Sequence, residues 1–122
     1  MLSVARSVRI FLAAEPVDLR NGIDGLGALV KQYGQDPFAG HLFVFVSKRR
    51  DRLKILAWDT GGFIIFYKRL EKGRFKMPWP KAGHKTMAID AAELHLLLDG
   101  IDFSQLERPE LWQPCARDFA QS

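Results

Sequence analysis

Apolar residues alternate with less apolar ones over Ser7–Ala14, where Val8, Ile10 and Leu12 share one side of an extended chain. That period predicts a strand. The spacing then changes: Leu19, Ile23, Leu26, Val30 and Tyr33 recur at steps of four and three, which places them on one face of a helix. Asp18 is positioned to cap its start and Gly34 its end. Gly22, Gly25 and Gly27 each weaken such a helix by about 1 kcal/mol relative to alanine, and are expected to let it lie close to a sheet.

Three strands follow in quick succession: HLFVFVS, RLKILAWD and FIIFYKRL. The first two are joined by basic KRRD, the second and third by TGG, whose glycines permit positive φ. Short connections make this an antiparallel meander. Runs such as Phe43-Val44-Phe45-Val46 and Phe63-Ile64-Ile65-Phe66 put apolar residues on both faces, so both faces should be covered, one of them by the Asp18–Gly34 helix. EKGRFKMPWPKAGHK reads as an irregular loop and TMAID as a short strand. A second helix occupies DAAELHLLLDGI: Asp90 caps it, Glu93 completes a capping box and Gly100 ends it. The expected class is α+β, an antiparallel meander sheet packed with two helices in a single domain over residues 1–104. Residues 105–122, with two prolines and little periodicity, read as a tail ordered by a partner.

Length and composition agree with this. A chain of 122 residues suits one domain and buries a core without metals or disulfides. The single cysteine, Cys115, cannot form an intrachain disulfide, which favours a reducing cytoplasm. The first apolar run ends at Glu15, too short for a signal segment, and no stretch is long enough for a bilayer.

Charge changes the picture more. Between Lys48 and Lys85 stand twelve Lys and Arg against three acids, whereas the remainder carries six against eleven. The overall charge of +4 thus conceals a strongly basic middle. Such a segment attracts phosphates, anionic lipid or acidic protein, although surface cations are also commonly just solvated. The meander brings the charge together. Its first turn, with Lys48, Arg49, Arg50 and Arg52, lies at the sheet end where Lys68 and Arg69 finish the third strand. Lys54 follows the turn, and Lys72, Arg74 and Lys76 lead the chain away. These ten residues are the candidate nucleic-acid contacts. Phe75 and Trp79, interleaved with them, are placed either to stack on exposed bases or to pack in the loop and core.

Catalytic chemistry has little to stand on. A nuclease or transposase centre needs two or three carboxylates around divalent metals; Asp18, Asp24 and Asp59 are the candidates, and each also reads as a cap, an exposed helix residue or a turn residue. His41, His84, His95 and Cys115 lack metal-ligand spacing. GIDGLG has no P-loop lysine and does not follow a strand in the dinucleotide-binding manner. No catalytic residue, metal or cofactor is assigned.

Four blocks occur in order: PVDLRNGIDGL, GHLFVFVSKRRDRLKILAWDTGGF, YKRLEKGRF and DAAELHLLLDGID. Together they resemble TnpB, the Orf2-like accessory protein of insertion sequence 66 transposable elements, which is distinct from the RNA-guided nuclease of the same name. The resemblance covers roughly Val8 to Phe103. In this chain FKMPWP carries extra residues relative to the family's usual aromatic-proline block. The resemblance implies a role in transposition beside a separate, larger transposase that holds the acidic catalytic centre, and it carries over no catalytic residues. Two functions remain open. One is a non-catalytic accessory that binds transposon-end DNA, with weak sequence selectivity, through the basic patch. The other is a protein-interaction module that bridges or regulates the element's transposase and other accessory protein without touching DNA. Neither needs a membrane.

Overall fold

The computed structural model describes residues 7–78 and 83–102. Seven elements run in the order β1 (Ile10–Ala13), α1 (Ile23–Gln32), β2 (Leu42–Val46), β3 (Arg52–Asp59), β4 (Gly62–Arg69), β5 (Thr86–Ile89) and α2 (Ala91–Leu98). They build one five-stranded sheet in the order β4-β3-β2-β1-β5. β2, β3 and β4 form the antiparallel meander. β1 lies beside β2 in parallel and beside β5 antiparallel. A parallel neighbour cannot be reached through a tight turn, and α1 with its flanking segments makes the crossover.

All five residues of β2 are buried, because this strand is the middle one of the sheet and both of its faces are covered. Phe43 and Phe45 pack with Leu19, Leu26, Val30 and Leu56 on the α1 side. Leu42, Val44 and Val46 pack with Leu53, Ile55, Phe75, Leu94 and Leu97 on the α2 side. Alternate side chains thus feed two separate cores, and the unbroken apolar run in the sequence follows from that.

The turn between β3 and β4 is two residues long, with Asp59 opposite Gly62. Thr60 has φ +35° and Gly61 +85°, the paired positive values of a turn whose twist matches its strands. At the start of α2 the capping box is complete: the Glu93 amide donates to Asp90 Oδ1 at 2.7 Å and the Asp90 amide to Glu93 Oε1 at 2.9 Å.

Several expectations are corrected. β1 is shorter than Ser7–Ala14. α1 starts at Ile23, with Gly22 at its N-cap and no side-chain capping bond. Asp18 does not cap it; its carboxylate Oδ1 accepts the Arg20 amide at 3.0 Å and folds residues 18–21 into a turn of their own. Leu19 reaches the α1-side core from this turn rather than from the helix. A Cβ at Gly27 would meet nothing within 4 Å, so close approach to the sheet is not what that glycine provides. Phe75 is 1% exposed in the α2-side core, so it packs inside and is not a stacking platform. Trp79 and the 105–122 tail lie outside the described residues. No helix among the described residues is long and apolar enough to cross a membrane.

Candidate nucleic-acid interface

The basic turn is a built structure. Ser47 and Arg52 close it, with the Ser47 amide donating to the Arg52 carbonyl at 2.9 Å and the Arg52 amide to Ser47 Oγ at 3.2 Å. Asp51, the acid within KRRDR, accepts from Ser47 Oγ at 3.4 Å. Its charge is turned toward the base of the turn, while Lys48, Arg49 and Arg50 remain exposed. Arg50 has φ +63°, a left-handed conformation unusual for a residue with a Cβ. Its carbonyl accepts the Phe75 amide at 2.6 Å, and the Asp51 carbonyl accepts the Leu70 amide at 2.7 Å. These bonds fasten the chain leaving β4 to the turn, with exposed Arg74 and Lys76 on either side of buried Phe75.

A second wall comes from the stretch before α1. The Val17 amide donates to the Val46 carbonyl at 3.0 Å, and Val17 bridges Ser47 in parallel. The 18–21 turn is thereby set beside the basic turn. There Arg20 grips Asp18 in a fork, Nε to Oδ1 at 3.0 Å and Nη2 to Oδ2 at 2.7 Å. The side-chain bonds from Arg20, then its amide, lower the Asp18 pKa from 3.8 to about 2. The same pair raises the Arg20 pKa. Lys54, projecting from β3, donates to the Leu19 carbonyl at 2.7 Å and the Asn21 carbonyl at 3.2 Å, which ties this wall to the sheet.

Between the walls lies a cleft of about 700 Å³. Arg20, Lys48, Arg49, Arg52 and Lys54 line it together with Asp18, Val17, Leu19, Ser47 and Tyr67. Five cations from two distant stretches thus face one carboxylate that is itself engaged by Arg20. The arrangement suits an anion with several charged oxygens.

The ten residues expected at this end of the sheet separate into groups. Lys48, Arg49, Arg52 and Lys54 line the cleft, and Arg50 is exposed at the tip of the turn. Arg69 stands opposite Arg52 and pairs with Glu71 at 3.2 Å. Lys72, Arg74 and Lys76 are exposed. Lys68 departs from the expected patch: its ammonium donates to the Leu98 carbonyl at 2.6 Å, at the end of α2 on the opposite face. Lys54 remains in the cleft, but its ammonium is committed to backbone carbonyls. Arg20 and Tyr67 belong to the site and escaped the charge map. Arg20 stands alone in sequence, and Tyr67 read simply as a strand residue. A signal for Arg20 was nonetheless present, since PVDLRNGIDGL is one of the four resembling blocks. Among the described residues, no three His, Cys, Asp or Glu side chains converge to hold a metal ion.

All the cleft residues fall within residues 8–108, the span matched by the profile of the family described as IS66 Orf2-like protein. The chain belongs to that family. IS66 Orf2-like proteins are accessory to transposition and are not a known catalytic family. Two curated proteins of Sinorhizobium fredii (strain NBRC 101917 / NGR234) are similar over nearly their whole length. Uncharacterized protein y4jC is 40% identical over 115 residues, covering 93% of this chain and 97% of its own. Uncharacterized protein y4hO is 36% identical over 115 residues, covering 93% and 96%. No solved structure gives a significant match.

Proposed function

We propose that this IS66 Orf2-like protein is a non-catalytic, cytoplasmic accessory of transposition that holds the DNA of its insertion sequence in the basic cleft, beside the element-encoded transposase and the element's other accessory protein. The observation that carries this reading is the convergence of Arg20 with the Lys48–Lys54 stretch around one cleft. Contacts from a turn and an adjoining loop suit phosphate oxygens, which position DNA without reading its sequence. Selectivity among sequences is accordingly weak.

Titration against labelled duplex at several salt concentrations tests it. Each neutralised phosphate contributes a slope of about −0.9 in log affinity against log salt. Removing two contacts with Lys48→Ala and Arg49→Ala flattens that slope by about two and weakens all sequences alike. Weak, salt-insensitive binding by the unaltered protein would end the reading.

One observation favours the second reading, a protein-interaction module. Among the described residues β4 pairs with β3 alone, so one edge of an eight-residue strand offers a site for strand addition. Retention of the transposase by the unaltered protein without DNA, together with absent duplex binding, would select this reading over the first.

A further inference from the structure

We propose that the cleft takes an unstacked nucleotide of a single DNA strand, with the base on the Tyr67 ring and the adjoining phosphates on Lys48, Arg49 and Arg52. This inference rests on the DNA-binding reading and narrows its substrate class.

Three observations carry it. First, Tyr67 lines the cleft while remaining 50% exposed. An aromatic ring beside clustered cations is the combination that single-strand sites use, because every base has a face to stack. A duplex presents base edges in its grooves, and its base faces are covered by their neighbours. Second, a fixed cation lies over the ring. The Lys54 ammonium lies 5.8 Å from the ring centroid and is anchored by the Leu19 and Asn21 carbonyls. Third, the charges in the cleft are distributed asymmetrically. Asp18 and Arg20 engage each other in a bidentate ion pair, so the 18–21 wall carries little net charge and the phosphates of the strand fall to Lys48, Arg49 and Arg52 on the other side.

The surface continues beyond the cleft. Trp58 pairs with Phe63 across β3 and β4, four residues along each strand from the Lys54–Tyr67 pair and therefore on the same face. With Phe38 they form a cluster with centroids 4.9–5.2 Å apart, and Phe38 is 51% exposed. A strand leaving Tyr67 along this face meets a second aromatic surface.

Fluorescence anisotropy with the full chain tests the proposal, using a labelled oligothymidine and a mixed-sequence duplex of equal length. The unaltered protein is expected to bind the single strand more tightly. Tyr67→Ala should weaken the single strand by roughly 5- to 150-fold, the worth of one stacked base, and change duplex affinity by less than about twofold. Tyr67→Phe keeps the ring and should behave as the parent, while Lys48→Ala with Arg49→Ala weakens both ligands. A parent protein that binds duplex as tightly as single strand, or a Tyr67→Phe variant that loses the single strand, overturns the proposal while leaving duplex binding in place. Equal losses on both ligands in a folded Tyr67→Ala variant overturn it as well. Binding to neither ligand overturns both this inference and the DNA reading beneath it.

Discussion

Arg52 and Arg69 are direct partners across the β3–β4 ladder, so the pleat points two guanidinium side chains from the same face of the sheet. Like charges in that position are destabilising. Glu71 relieves only one of them, through an ion pair at 3.2 Å whose two side chains are 53% and 80% exposed, and exposed pairs contribute little. Arg52, on the cleft side, has no acidic partner among the described residues. Arg52→Thr, which restores a good strand former, is expected to raise stability by roughly 0.2–1 kcal/mol and to lower the salt slope for DNA by about one. Denaturant melts and salt titrations of the same sample check both halves. A variant that is less stable and binds DNA unchanged would contradict both.

Lys54 and Lys68 differ by one step in the ladder and point to opposite faces. Lys54→Met leaves the Leu19 and Asn21 carbonyls without their ammonium donor. Because hydrogen bonds to charged groups contribute about 1.5–3 kcal/mol, a loss of that order is expected, with faster amide exchange at Arg20 and Asn21. Lys68→Met instead removes a cation from the C-terminal end of α2, where such charges contribute about 0.3–1 kcal/mol. Its exchange effect should fall on Asp99 and Gly100. Hydrogen-exchange NMR separates the two, and a shared pattern would show that the 18–21 turn and the end of α2 are not held independently.

Acid affects the 18–21 turn in a defined window. The folded pKa of Asp18, about 2, lies below its ordinary value of 3.8. Between those values the unfolded chain binds more protons than the folded one, so stability falls as pH falls. The contribution is fully present above about pH 4 and is lost as pH drops through 2. Arg20→Ala removes the principal cause and should return the Asp18 titration toward 3.8. Carbon-detected NMR titration of the carboxyl reads this directly. An unchanged Asp18 midpoint in the variant would mean that Arg20 is not what holds it down.

The meander was legible in the sequence because its signals are local. Thr60-Gly61 specifies the second turn, and β2 to β4 announce themselves by β-branched and aromatic runs. The Asp90–Glu93 box was equally legible, since a cap and its reciprocal partner lie within one helical turn. The start of α1 was not. Leu19 fits the helical spacing, yet it arrives at the core from the Asp18 turn, and periodicity cannot tell these routes apart. Phe75 was ambiguous between stacking and packing for a similar reason: whether an aromatic in an irregular loop turns inward depends on the Arg50 carbonyl that fastens its amide.

Family membership, the α+β class, the basic middle and the meeting of the Lys48–Arg52 turn with Arg69 could all be reasoned from the chain by itself, because each depends on residue type, short spacing or the order of neighbouring strands. The cleft belongs to the tertiary structure. It exists because β1 runs parallel to β2 through a crossover that no local pattern encodes, and Val17 then docks on Val46 and brings Arg20 to the basic turn. Register and pleat next decide which way each cation points: Lys54 into the cleft wall, Lys68 onto α2, and Tyr67 beside Lys54 with half its surface open. A side chain's neighbours across a sheet are set by pairing at long range, and pairing is selected by the packing of two cores at once.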